Sequence, residues 1–280
     1  SAASEPSRIT EARVRAWAST GVVGLRGEGL SELPEALFAA VAPAPGSSSC
    51  SSSSSAAAAS ARAAKSPLAV ARAVDLGENR LSSLPERFVE AATAGAAVSV
   101  AATAAAATAA PTAATTIGNA TTTSGSGTSA AAASVLATTS KLARLRLADN
   151  ALSGPGALPS SFSNLSALAE LVLDDNPLLQ TLPGSVFALP RLRRLSAVRC
   201  GLGEIPSSVQ DAKALSELVV AGNALTTIPV EIGSCSSLTR LDASSNKISS
   251  LPENSLARCG RLTVLVLDGN RLSSLPRDLL

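Results

Sequence analysis

The chain of 280 residues contains no histidine, no tyrosine and no methionine, with one Trp and four Phe. Without histidine, the Ser-His-Asp and Cys-His devices, His-ligated zinc and a His-based pH switch are excluded together. With aromatics at 2%, a core has to be built of Leu, Val and Ile. Such a core suits a narrow stacked array better than a thick globule. The cysteines, Cys50, Cys200, Cys235 and Cys259, include no C-x-x-C pair and do not cluster into disulfide-bonded caps. That pattern fits a reducing compartment. Excess charge is missing too: 23 basic residues face 21 acidic ones, a net of +2, so no global field draws the chain to nucleic acid or an anionic membrane. No Gly-Lys-Ser phosphate loop, metal-ligand cluster or nucleophile-base pair is visible, and the chain is expected to be non-catalytic, with no cofactor and no metal.

What is present is a phrase that returns. Leu142-x-x-Leu145-x-Leu147-x-x-Asn150-x-Leu152 recurs as Leu168-x-x-Leu171-x-Leu173-x-x-Asn176-x-Leu178 and so on to Leu262-x-x-Leu265-x-Leu267-x-x-Asn270-x-Leu272. The Asn slot is filled by Asn150, Asn176, Cys200, Asn223, Asn246 and Asn270, at steps of about 23 to 26 residues. Two earlier copies stand apart: Val23-x-Leu25-x-x-Glu28-x-Leu30, with Glu in the Asn slot, and Val74-x-Leu76-x-x-Asn79-x-Leu81. The L-x-L core is the alternation of a short half-buried strand, and the Asn amide can satisfy backbone groups left unpaired at the turn. Leu-Pro or Ile-Pro pairs such as Leu84-Pro85, Ile205-Pro206 and Leu251-Pro252 begin a returning segment, often a helical turn. Stacked, these units predict an α/β solenoid with a parallel sheet on the concave side and short helices or turns on the convex side.

The predicted organisation runs in chain order. Residues 1–20 read as an amphipathic capping helix with Pro6 in its first turn, Ser4 or Ser7 as cap, and Ile9, Arg13 and Trp17 on one side. Repeat 1 spans 21–41, a Ser/Ala/Pro insertion with the run Ser51 to Ser55 spans 42–67, and repeat 2 spans 68–90. A second insertion of Ala, Thr, Gly and Ser spans 91–140, and repeats 3–8 fill 141–280. The second insertion has no charge between Glu90 and Lys141. Pro111, abundant Thr and the near-absence of Leu, Ile and Phe argue against a membrane span, and a disordered or loosely helical loop is expected for both tracts. The last unit stops at Leu280 without a polar C-terminal cap, so further sequence or another subunit is expected to cover that edge. Ser1 opens a polar segment with no apolar h-region. With the cysteine pattern, this leads to the expectation of a cytoplasmic protein.

These units resemble the intracellular leucine-rich-repeat proteins with L-x-x-L-P-x-x-L repeats, the type of the Ras-binding scaffold group and the plant intracellular Ras-group proteins. The opening, from Ala12-Arg13-Val14 through Glu28-Gly29-Leu30 to Leu33-Pro34, is also similar to the N-terminal cap and first repeat of leucine-rich repeat-containing proteins 40 and 57. The resemblance implies a protein-binding scaffold, with a structural subunit of a ciliary or cytoskeletal assembly as one form. A regulatory subunit of a small-GTPase or protein-phosphatase complex is the alternative it implies.

The outward strand positions form the candidate binding face. One column reads Val22, Ala73, Arg144, Glu170, Arg194, Glu217, Arg240, Val264, and the column beside it Gly24, Asp75, Arg146, Val172, Ser196, Val219, Asp242, Val266. Alternating Arg and Glu on strands about 4.8 Å apart can form a structural ladder, a polar partner-binding stripe, or both. The partner-binding residues expected are Arg144, Arg146, Glu170, Val172, Arg194, Ser196, Glu217, Val219, Arg240 and Asp242, facing a protein rather than nucleic acid or membrane. Asp149, Asp174 and Asp175 form either a solvated acidic edge or a hard-cation site. Cys235 and Cys259 each precede a repeat's first Leu by three positions, as buried thiols or a redox-sensitive pair. Asn119-Ala120-Thr121 and Asn164-Leu165-Ser166 match the glycosylation pattern, which matters only outside the cytosol, and the serine run is a candidate for phosphorylation.

Overall fold

A computed structural model describes residues 9–39, 66–94, 140–253 and 255–277. The serine run, Asn119 and the bodies of both insertions lie outside the described residues, as do Ser4, Pro6 and Ser7.

Eight three-residue strands form one sheet in chain order: β1 (Val22–Gly24), β2 (Ala73–Asp75), β3 (Arg144–Arg146), β4 (Glu170–Val172), β5 (Arg194–Ser196), β6 (Glu217–Val219), β7 (Arg240–Asp242) and β8 (Val264–Val266). Every pair is parallel, and the middle residues stand opposite one another from Val23 and Val74 through Leu145, Leu171, Leu195, Leu218 and Leu241 to Leu265. The middle residue turns inward because side chains alternate across a strand, and from Val23 to Leu241 it is buried. The residue just after each strand is inward as well, including Leu147, Leu173 and Val220. β1 pairs directly with β2 and β2 with β3, so both insertions leave the ladder unbroken. The fold is an α/β leucine-rich-repeat solenoid, its core a single continuous column of apolar side chains.

The opposite wall is made of short turns. Pro34, Pro159, Pro183, Pro206 and Pro229 each sit in extended backbone immediately before one, at Glu35–Leu37, Ser160–Asn164, Gly184–Phe187, Ser207–Asp211 and Val230–Ser234. Proline suits that place because its missing N–H costs nothing where a turn begins. Residues 86–94 are helical, so the second insertion, placed by sequence from residue 91, begins with helix and buries Ala92. The N-terminal helix α1 runs Glu11–Thr20, capped by the Thr10 side chain rather than by a serine further upstream. It lays Trp17 onto the core, where the indole is buried, and ends on Gly21 in the left-handed region.

The Asn slot holds the repeats together. Asn223 shares its amide hydrogens among the carbonyls of Ala197 (2.8 Å), Val220 (2.9 Å) and Ala221 (3.2 Å). Its Oδ1 accepts from the amides of Cys200 (2.9 Å) and Leu202 (3.1 Å) in the repeat before. Asn79, Asn150, Asn176 and Asn246 repeat the pattern, each donating to its own turn and to the preceding repeat. Cys200 imitates chiefly the donor half, with Sγ 3.2 Å from the Leu173 carbonyl, its sulfur being a poor substitute for the Asn oxygen toward the Asn176 amide.

One position departs from the sequence phrase. Leu178 occupies the apolar slot two residues after Asn176, yet it is 54% exposed, while Leu179 is fully buried. Cys200 in the next repeat has no side-chain oxygen to hold the Leu178 amide, as Asn176 holds that of Leu152 (3.2 Å). Pro177 lengthens the turn by one residue and Leu179 takes the core place. At the other end of the array, Leu262, Leu265, Leu267 and Leu272 are only partly buried, and Leu275 is 50% exposed.

Candidate functional site

The outward faces of β3 to β7 carry the two columns of side chains, and register places Arg144, Glu170, Arg194, Glu217 and Arg240 in one line. The line is two clusters. Glu170 lies 3.6 Å from Arg144 and 3.4 Å from Arg146; Glu217 lies 3.4 Å from Arg194 and 3.7 Å from Arg240. Arg240 also reaches Asp242 at 3.3 Å, and no ion pair joins Glu170 to Arg194 among the described residues. These contacts are long, and the arginine side chains remain between 43% and 68% exposed. Pairs of that kind contribute roughly 0–1 kcal/mol each, too little to lock the side chains away from a partner.

Between the clusters lie Val172, Ser196 and Val219, with Ser196 the most buried. Its hydroxyl donates to Asp174 Oδ1 at 2.7 Å, and the same oxygen accepts the Val198 amide at 2.8 Å. Ser196 is therefore tied into the turn, and of the ten expected residues it offers least to a partner.

The acidic group resolves into separate tasks. Both oxygens of Asp175 take the Arg199 guanidinium, at 2.5 and 2.7 Å, which holds its carboxyl below the usual range, and Asp174 caps the turn. Only the Asp149 carboxylate is left exposed without a hydrogen bond among the described residues, so the three do not converge on one point. Nowhere among the described residues do three or more Cys, Asp or Glu gather where a metal ion could sit. Cys235 and Cys259 donate to the Val209 and Ile232 carbonyls at 3.2 and 3.3 Å, deep in the core. Burial pushes the Cys235 thiol up to about 11 and that of Cys200 up to about 12, away from the reactive thiolate. Asn164 is exposed at the end of its turn, and among the described residues no helix is long and apolar enough to cross a membrane.

Two features escaped the sequence reading. The residue before each Asn slot is left-handed in all eight repeats: Gly27, Glu78, Asp149, Asp175, Arg199, Gly222, Ser245 and Gly269. The three glycines were the available signal, since φ near 67° to 71° costs glycine nothing. The second is Glu28. Its carboxylate takes Arg13 of α1 at 2.7 Å, and Arg13 also donates to the Gly24 carbonyl at 2.8 Å and lies over the Trp17 ring. Among the described residues α1, and not another repeat, stands before the first repeat, and its slot serves that helix.

Residues 213–272 match the leucine rich repeat family model. No curated protein sequence matches the chain. Among solved structures it is similar to an LRR protein of Leptospira interrogans (TM-score 0.58, 19% identity, covering 99% of this chain and 56% of that one). It is also similar to TLR13, solved in complex with ssRNA13 (TM-score 0.51, 20% identity, 75% and 23%), and to PEPR1, solved with AtPEP1 (TM-score 0.50, 24% identity, 76% and 24%). The chain thus spans about half the length of the first and about a quarter of the other two. At these identities the likeness establishes the fold alone.

Proposed function

We propose that this chain is a non-catalytic cytoplasmic scaffold that binds another protein on the outward, concave side of its sheet. The observation that carries this is the composition of β3 to β7: exposed arginines weakly paired to half-buried glutamates, with the half-buried Val172 and Val219 set among them. A rigid ladder presents them at fixed spacing, and polar groups beside small apolar ones are what protein interfaces use. The PEPR1 and TLR13 neighbours are described in complexes, one with AtPEP1 and one with RNA, so the solenoid by itself is compatible with either kind of ligand. For this chain, the near-balanced charge and the absence of exposed aromatics on the face favour protein. The intracellular Ras-group resemblance supports the cytoplasmic setting.

The test is affinity capture from native extract with the full chain and with an Arg146→Glu/Arg194→Glu variant, followed by cross-linking. A partner lost in the variant and cross-linked to the strand side supports the reading. A partner retained by the variant, or cross-linked only to the side carrying Ser207–Asp211 and Val230–Ser234, refutes it.

A further inference from the structure

The net charge of +2 conceals a polar division of the sheet. Backbone hydrogen bonds draw a line along the N-terminal ends of the strands: Ala143 N–H to Arg72 O (2.8 Å), Ala169 N–H to Ala143 O (2.8 Å) and Arg193 N–H to Ala169 O (2.9 Å). Arg72 and Arg193 therefore stand three strand steps apart, about 14 Å, with two alanines between them. Lys141 and Arg191 lie two residues before Ala143 and Arg193 in the same lip, and Arg144 follows on β3. Arg72, Lys141, Arg191 and Arg193 are all exposed, and among the described residues their side chains make no hydrogen bond or ion pair. The opposite lip, at the C-terminal strand ends, bears Asp75, Glu78, Asp149, Asp174 and Asp175. Its two arginines, Arg26 and Arg199, are committed to Glu78 and Asp175.

Resting on the reading of this sheet as a protein-binding face, we propose that the lip formed by Arg72, Lys141, Arg191 and Arg193 docks an extended acidic segment of the partner, running across β2 to β5. Uncommitted cations on one side and anions on the other orient such a segment and exclude a basic one. About four to five extended residues span the distance from Arg72 to Arg193. Ala143 and Ala169, small and partly exposed, leave a shelf on which a peptide backbone can lie, while the arginines at its ends take carboxylates in bidentate fashion. The lip lacks aromatic side chains on which bases would stack, which separates it from a single-stranded nucleic-acid groove.

The experiment titrates the full chain into a fluorescein-labelled Glu-rich dodecapeptide, its Gln counterpart, a thymidine dodecanucleotide of equal length and phosphatidylserine vesicles, at low and physiological salt. The Glu peptide is expected to bind, the Gln peptide not, and rising salt to weaken binding. Arg191→Glu/Arg193→Glu is expected to weaken it by about tenfold or more, since each exposed pair lost is replaced by a repulsion. Arg72→Glu/Lys141→Glu should do likewise, and Asp149→Asn should not weaken it. Equal binding of the Gln peptide, tighter binding of the oligonucleotide or vesicles, or an affinity untouched by both lip variants overturns the proposal. Running Arg146→Glu/Arg194→Glu in parallel separates the two readings. Peptide binding lost only in that variant sinks the lip and leaves the central face standing.

Discussion

Asn223→Ala is the sharpest probe of how the repeats adhere. The side chain is 9% exposed and lies between β5 and β6. Its removal orphans the amides of Cys200 and Leu202 and takes from the Ala197 carbonyl its Asn223 donor, while the Val220 carbonyl keeps the Asn246 amide group and that of Ala221 keeps the Arg199 N–H. At roughly 1–1.5 kcal/mol for each buried amide and a smaller cost for the Ala197 carbonyl, which has a second lone pair, the loss is about 3 kcal/mol. For an array of this size that lowers the Tm by roughly 6 to 12 °C. Cys200→Ala supplies the internal standard. The thiol donates weakly to Leu173 and Val198, and its sulfur is only a weak acceptor for the Asn176 amide, so its loss should cost about 1 kcal/mol. Urea unfolding followed by circular dichroism measures both, and hydrogen exchange at Cys200 and Leu202 localises the effect. If Asn223→Ala costs no more than Cys200→Ala, or the two amides keep their protection, the stitching role is refuted.

Three further outcomes follow from particular contacts. Leu179→Ala should cost about 2–4 kcal/mol by leaving a cavity, whereas Leu178→Ser should stay within about 0.5 kcal/mol; urea midpoints that reverse this order would restore Leu178 to the core. Gly201→Ala should destabilise by about 2 kcal/mol or more, because φ is +68° and the new Cβ would meet the Pro177 carbonyl oxygen at 2.7 Å; an unchanged melting temperature would refute the strain. Stability should fall in alkali: the thiols of Cys200 and Cys235 are held neutral to about 12 and about 11 in the fold against 9.0 unfolded. The unfolded chain therefore loses protons first, and this contribution, complete below pH 9, declines above it by about 2 kcal/mol at pH 10. Replacing both by Ala should flatten that decline, and a slope unchanged by the replacement would refute the assignment.

The covering of the first repeat shows how the solenoid accommodates a broken rule. A carboxylate in the Asn slot would be misplaced in mid-array, where it could not donate to the carbonyls of two repeats. At Glu28 the Arg13 guanidinium supplies the donors, reaching the Gly24 carbonyl and the carboxylate together while Trp17 seals the apolar end beneath it. A similar bond closes the gap opened by the second insertion. Glu86 accepts the amide and hydroxyl of Ser160 at 3.1 Å each and also the hydroxyl of Ser161, which lowers its carboxyl from the usual value. Repeats distant in sequence are thereby joined on the turn side as well as through the sheet.

The repeated phrase determined the parallel sheet, its register and the inward leucines, because strand alternation and the Asn turn are local rules that each unit states for itself. The same periodicity brought the Arg/Glu column into line, since equal offsets in stacked repeats become neighbours in space. Other matters depended on what lies in the next repeat. Leu178 fits the phrase but leaves the core because its stabilising oxygen would have come from position 200, a cysteine. Glu28 looked like a defect until Arg13 was placed beside it. The column divides into two clusters because Glu170 leans to Arg144 and Arg146 rather than to Arg194, a choice of side-chain direction that spacing cannot express. The opposed basic and acidic lips likewise vanish in a composition that sums to +2. Sequence periodicity specifies which positions repeat; the pairing of their polar groups is decided by reach and direction between repeats, and those exist only once the chain is stacked.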